Sequence, residues 1–148
     1  MKKVSILFVS ALALGMTFTS CNKDDGDNSS APVASVEGKW NFNKFSVTQN
    51  GVTSPEDNYP NNQEGCSKDF IELKADGIYN EGDYVDSACT LEQTPGTWTK
   101  DNNSISLSVD GETQAFEIVS LSTTELKVKA TFTEQGTTFT LNVSFTKA

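Results

Sequence analysis

The run Asn80 to Cys89, "NEGDYVDSAC", sets three carboxylates, Glu81, Asp83 and Asp86, within six residues. Carboxylate oxygens are the donors calcium takes, but this spacing matches no EF-hand loop. An acidic surface also produces such triplets with no ion to hold. Two carboxylates facing across a cleft would suit glycoside hydrolysis, yet the strand positions that alternation assigns to the interior are nearly all apolar. The chain has no histidine, which excludes Ser-His-Asp and Cys-His catalysis, histidine-ligated zinc and histidine-ligated haem. All 11 basic residues are lysines, so the planar, bidentate grip of arginine on phosphate or carboxylate is missing. No catalytic set, metal site or cofactor is expected, and the chain is read as a non-enzyme.

The 3 cysteines divide into two roles. Cys66 and Cys89 flank a hairpin signal at Asp76-Gly77. Carrying that hairpin's register outward sets Cys66 opposite Ser87, two residues short of Cys89. In an oxidising compartment the two are expected to pair, closing a loop worth about 3 kcal/mol in the chain-entropy model. Neither a Cys-x-x-Cys spacing nor a basic neighbour other than Lys68 supports a reactive dithiol. Cys21 ends the segment "MKKVSILFVSALALGMTFTSC", in which two lysines precede an apolar run from Val4 to Met16. That run is shorter than the roughly 20 residues a membrane-spanning helix needs, so residues 1–20 are read as a secretory signal peptide. The Phe18-Thr19-Ser20-Cys21 ending resembles a bacterial lipobox, with Phe18 where leucine is usual. The resemblance implies that Cys21 carries acyl chains such as palmitate and becomes the mature N-terminus.

Residues 21–35 hold Asp, Asn, Ser and Gly with no large apolar residue except Val33. Such a composition buries too little surface to order itself and reads as a flexible tether. Lys23-Asp24-Asp25 resembles the lysine-acidic-acidic signal that sends some lipoproteins of Gram-negative bacteria to the outer leaflet of the outer membrane, which implies cell-surface exposure. Once residues 1–20 are removed, 9 lysines face 20 acids, a net charge of −11. That balance argues against nucleic acid and against electrostatic attraction to anionic lipid, leaving the N-terminal lipid as the membrane contact. Residues 36–148 are one domain by size.

The elements that must position any site are short alternating segments between turn residues, with no long helical pattern after residue 35. Folding "TELKVKATFTEQGTTFTLNVSFTK" at Gln135-Gly136 places Phe132 opposite Phe139, Ala130 opposite Leu141, Val128 opposite Val143 and Leu126 opposite Phe145. Every apolar residue lands on one face. Asp110-Gly111 sets Leu107 opposite Gln114 and Ile105 opposite Phe116. Asp101-Asn102 predicts Trp98 opposite Ile105, and a looser connection at 120–124 predicts Ile118 against Leu126. Asp76-Gly77 predicts Ile71, Leu73 and Ala75 facing Gly82, Asn80 and Ile78. With a strand starting at Trp40 these make eight strands, joined mostly to their sequence neighbours. Rolling them closed turns the shared apolar face into an interior and removes the edges. Two sheets packed face to face would give much the same alternation.

The ordered motifs Gly38-Lys39-Trp40, Cys66 before "KDFIELKADGIY", Cys89, "PGTW" at 95–98, "SLSTTELKV" and the ending "SFTKA" resemble the lipocalin-like domains of bacterial outer-membrane lipoproteins over residues 36–148. The resemblance implies an all-β, eight-stranded antiparallel up-and-down barrel, with Trp40 near the closed end and any ligand entering at the other. Lipocalins usually pack an arginine over that tryptophan; here Lys147 is the available substitute. Inward aromatics Trp40, Phe42, Trp98, Phe116, Phe132, Phe139 and Phe145 either line a pocket for a small hydrophobic ligand or plug the barrel. In the second case the protein is a solid-core module that contacts an envelope protein or a glycan. The segment "TQNGVTSPEDNYPNNQEGC" is expected at the mouth.

Overall fold

The computed structural model describes residues 33–148. The expected signal peptide 1–20, the expected lipid site Cys21 and all but the end of the expected tether 21–35 lie outside the described residues. Ten strands follow in chain order: β1 Gly38–Gln49, β2 Val52–Thr53, β3 Asp57–Asn58, β4 Phe70–Leu73, β5 Ile78–Tyr84, β6 Leu91–Asp101, β7 Ser104–Val109, β8 Glu112–Leu121, β9 Glu125–Glu134 and β10 Thr137–Lys147. There is no helix among the described residues. β4 to β10 pair in sequence order, β4 pairs β1, and β1 pairs β10, so eight strands close into an antiparallel up-and-down barrel. The two short strands β2 and β3 lie along the second half of β1, where β4 no longer reaches.

The two-residue turns match their sequence signals. Gln135 and Gly136 take φ 48 and 80, and Asp110 and Gly111 take φ 52 and 85. Positive φ at both central residues is the hairpin geometry whose twist suits the flanking strands. Phe132 therefore faces Phe139, and Ile105 faces Phe116, as the sequence predicts.

Three registers differ from expectation. The β6–β7 turn centres on Asn102-Asn103, so Trp98 pairs with Leu107 rather than Ile105. In β8 a bulge at Val119 pairs Ile118 with Val128 rather than Leu126. Both shifts leave the inward residues inward.

The third difference reverses a face. Gly77 (φ 80) ends a three-residue loop in which Gly77 N–H donates to Lys74 O and Lys74 N–H to Ile78 O. That geometry, a turn followed by a left-handed bulge residue, pairs Leu73 with Tyr79 and Ile71 with Glu81. A one-residue slip inverts every side chain of a strand. Tyr79, Glu81 and Asp83 thus face the interior, while Ile78, Asn80 and Gly82 face out. The expectation of a nearly all-apolar interior fails on this strand.

One end of the barrel carries the 74–77, 102–103 and 122–124 connections and both termini of the domain. Its core is Val36, Trp40, Phe42, Ile71, Leu73, Tyr79, Trp98, Ile105, Ile118, Leu126, Val128, Val143 and Phe145. Trp40, Leu73 and Leu126 have no exposed surface, and burying a side chain of that size contributes about 1.5–3 kcal/mol. The other end carries the 50–69 connector, the 85–90 loop and the two tight turns at 110–111 and 135–136.

Candidate ligand-binding site

The closed end is built around Trp40. Its indole N–H donates to Val36 O at 2.7 Å. The Lys147 ammonium sits 4.1 Å from the ring centroid and donates to Glu37 O at 2.6 Å. Lys147 thus takes the place over the tryptophan that the family resemblance implied, a cation on a π face. Gly38 makes the room. Its φ is +115, and a Cβ there would lie 2.5 Å from the Lys147 nitrogen, so only glycine fits both the backbone and the ammonium. Desolvation pushes the Lys147 pKa down. The Gly-x-Trp motif is therefore a plug, and Trp40 is its centre rather than the floor of an open pocket.

Exposure along the inward faces rises from this plug toward the mouth. On β10, Phe145 and Val143 are buried while Leu141 and Phe139 are half-buried; on β8, Ile118 is buried, Phe116 and Gln114 are half-buried and Glu112 is exposed. β7 runs from buried Ile105 to half-buried Leu107 and Val109, and β9 from buried Leu126, Val128 and Ala130 to Phe132, 40% exposed. An inward side chain meets solvent where the lumen is unfilled or where the barrel ends. The barrel is packed in its closed half, and toward the other end, the cup, its inward side chains become accessible.

The seven aromatics read from the sequence separate accordingly. Trp40, Phe42, Trp98 and Phe145 belong to the filled core, with Phe42 and Phe145 ring centroids 4.7 Å apart. Phe116 sits at the transition. Phe132 and Phe139 stack 5.6 Å apart at the rim.

Other cup residues lie outside those seven aromatics; Phe45 and Val47 were not anticipated, while Tyr59 is the one aromatic of the segment expected at the mouth. The β1 register skips Asn43 between Phe42 and Lys44, and Phe45 and Val47 then pair with inward Val143 and Leu141. A bulge of this kind changes which face the following residues occupy. The three-residue spacing of Phe42 and Phe45, odd for a strand, is its signal in the sequence. Tyr59 arrives from the 50–69 connector and stacks on Phe42 at 4.2 Å. It is held there because Tyr59 N–H donates to Asn43 O, while the Asn62 side chain donates to Phe42 O and accepts from Asp69 N–H. The Cys66–Cys89 disulfide, with Cα atoms 5.4 Å apart, ties this connector to the 85–90 loop, as expected.

The lumen wall made by β5 and the residue before β4 is acidic. Glu81 accepts the Tyr79 hydroxyl at 2.8 Å, and Asp69, 1% exposed, accepts Tyr84 N–H at 2.8 Å through Oδ1. Burial raises the Asp69 pKa to about 6; the Tyr84 hydrogen bond opposes this and Asp83 adds to it. Burial also raises Glu81, reinforced by Asp83 and Asp69 against the Tyr79 bond, and it raises the phenols of Tyr59 and Tyr79. Asp86 is separate: its Oδ1 accepts Ala88 and Thr90 N–H at 3.0 Å each, so it organises the exposed 85–90 loop. Among the described residues no group of three His, Cys, Asp or Glu is placed to hold a metal ion.

A separate groove of about 260 Å³ opens on the outer wall, lined by Lys44, Ser46, Thr48, Thr53, Asn142 and Ser144 among others. Its lining mixes hydroxyl, amide and ammonium groups with the Glu56 carboxylate and the apolar residues Phe45, Val119, Val128 and Val143.

The fold and this site define a lipocalin-like barrel. The lipocalin-like domain family matches residues 36–128, and the chain belongs to it. A lipocalin-like protein from Bacteroides uniformis superposes with a TM-score of 0.54 at 13% identity, covering 76% of this chain and 98% of its own. An uncharacterized protein from Bacteroides eggerthii superposes with a TM-score of 0.52 at 11% identity, with the same coverages. These likenesses establish the fold. A comparison with curated proteins finds no match.

Proposed function

We propose that the chain is a lipid-anchored, non-catalytic binding protein, displayed on the outer membrane at the cell surface, whose cup takes up a small, largely apolar molecule. The carrying observation is the rise in exposure of inward apolar side chains toward the mouth, from buried Phe145 to half-buried Phe139 and from buried Ala130 to exposed Phe132. Such a surface gains from covering, at about 25 cal/mol per Å² of apolar area removed from water. Membership of the lipocalin-like family supports a binding role.

The test is titration with an uncharged fluorescent apolar probe. Binding is expected, and Phe132→Trp or Phe139→Trp is expected to abolish it by narrowing the rim. Binding unaffected by either change would place the probe elsewhere and sink the cup reading. The anchor has its own check: with Cys21→Ala the protein is expected to move from the membrane fraction to the soluble fraction of the envelope. Retention in the membrane would refute acylation at Cys21.

The outer groove favours a second reading, contact with a glycan or an envelope protein, because its Ser, Thr, Asn and Lys side chains offer hydrogen-bond donors and acceptors on an accessible surface. Under that reading the Trp substitutions at the rim leave partner binding intact.

A further inference from the structure

The outer groove holds a group that the barrel's own packing does not use. Ser144 lies between core residues Val143 and Phe145 and points the other way, onto the outer wall, yet it is only 7% exposed. Its hydroxyl makes no hydrogen bond among the described residues, and it lines the groove. Buried polar groups are almost always paired. A hydroxyl nine-tenths buried and open only to a groove is set for a partner from outside.

Positive charge flanks that hydroxyl. Ser144 pairs with Lys127 on β9 and with Lys44 on β1, so a lysine stands beside it on each neighbouring strand, at the roughly 5 Å spacing of cross-strand Cβ atoms. Lys44 makes no ion pair among the described residues. Lys127 pairs with Glu125 at 3.6 Å, an exposed contact that holds it weakly. Two ammonium groups and a free hydroxyl together suit an anionic oxygen group, through charge-assisted hydrogen bonds.

Further along the groove the chemistry changes. Asn142 reaches the Ser46 and Thr48 hydroxyls at 3.4 Å each, and Glu56 supplies a carboxylate acceptor. Val119, at the β8 bulge and 56% exposed, adds an apolar surface. A sugar ring presents the matching combination, with hydroxyls around its edge and C–H groups on its faces. The groove's volume of about 260 Å³ falls below the roughly 300–1,000 Å³ of sites that enclose a drug-sized ligand, which suits a single ring. A bare anion would leave this half of the groove unused, and a stable protein partner would need to cover roughly 800 Å².

Resting on the glycan reading of the groove, we infer that it selects an acidic sugar, a hexuronate, its carboxylate on the Ser144 hydroxyl between Lys44 and Lys127. The ring lies against Val119, with its hydroxyls toward Asn142 and Glu56.

The experiment compares methyl glucuronoside with methyl glucoside, which differ only in the group at C6, by NMR chemical-shift titration at pH 7.5 and low ionic strength. It uses the mature chain with Cys21→Ala, so that no lipid is attached. The glucuronoside is expected to bind about tenfold tighter, the gain of one charge-assisted hydrogen bond, and to move the amide signals of Lys44, Lys127 and Ser144. Ser144→Ala and Lys44→Gln are each expected to cut that preference to about twofold or less. Neither group has a partner to lose among the described residues, so both variants are expected to keep the parent's urea midpoint; should one not fold, the other decides. Equal binding of the two sugars overturns the acidic-sugar inference but leaves the glycan reading standing. Acetate binding as tightly as the glucuronoside would reduce the site to a bare anion seat and overturns the inference too. Binding of neither sugar overturns both it and the glycan reading. A preference that survives both substitutions puts the carboxylate elsewhere and likewise overturns the inference.

Discussion

Asp69 shows how much a single buried carboxyl does in this barrel. Its main chain completes the sheet, since Phe42 N–H donates to Asp69 O at 2.9 Å, and its side chain sits where ionisation is penalised. The folded pKa of about 6 lies above the ordinary aspartate value of 3.8, so between these limits the folded state holds a proton that the unfolded state has lost. The resulting stabilisation is full below the unfolded value and is lost as pH rises through about 6. This is the reverse of a salt-bridged aspartate. Asp69→Asn, which keeps an acceptor for Tyr84 N–H, is expected to be more stable relative to the parent at pH 7.5 than at pH 5. Urea midpoints of the pair at both values measure this; a gap independent of pH would show that Asp69 ionises as freely folded as unfolded. The residue also marks a limit of local reading. Nothing in "SKDF" distinguishes a solvated aspartate from a buried one.

At the level of strands and hairpins, legibility followed turn type. Asp110-Gly111 and Gln135-Gly136 each have two residues of positive φ, and both registers could be read in advance because the turn and the apolar pattern specify the same pairing. Asp76-Gly77 carries the same kind of dipeptide but closes a three-residue loop, with Asp76 Oδ1 accepting Ile78 N–H at 3.2 Å. Leu73 consequently meets Tyr79, and both enter the core. The same slip puts Gly82 on the outer face under Phe70, which is buried at 4% exposure and carries the Lys39 ammonium 3.5 Å from its ring centroid. A Cβ at Gly82 would fall on the Phe70 ring. Gly82→Ala is therefore expected to cost about 1–3 kcal/mol, the usual penalty of overpacking, read as a lower urea midpoint. Had the register predicted from the turn been correct, Gly82 would face inward opposite Ile71, and the ring would not be touched.

Across the whole molecule, closure joins strands that are far apart in sequence, with β1 pairing β10 from Trp40–Lys147 to Gln49–Phe139. The plug and the cup both depend on it. Residues 66 and 89 bring the two mouth loops together across 23 positions, so Cys66→Ser with Cys89→Ser is expected to cost about 3 kcal/mol, the entropy of the opened loop. Chemical denaturation of the variant against the oxidised parent measures it, and an unchanged midpoint would mean that the Tyr59 connector is held by its hydrogen bonds alone. The sequence by itself determined the all-β class, the positions of the hairpins, two of their registers and the cysteine pair, because each rests on local periodicity, turn chemistry or an unambiguous count of candidates, while the Lys147–Trp40 contact was implied by the family resemblance. Only the tertiary structure decided which face of β5 points inward and how far the lumen is filled. Alternation specifies a strand's faces but not which one is inside; a one-residue difference in a loop exchanges them. Filling is a sum over eight strands at a given barrel radius, which no single segment encodes.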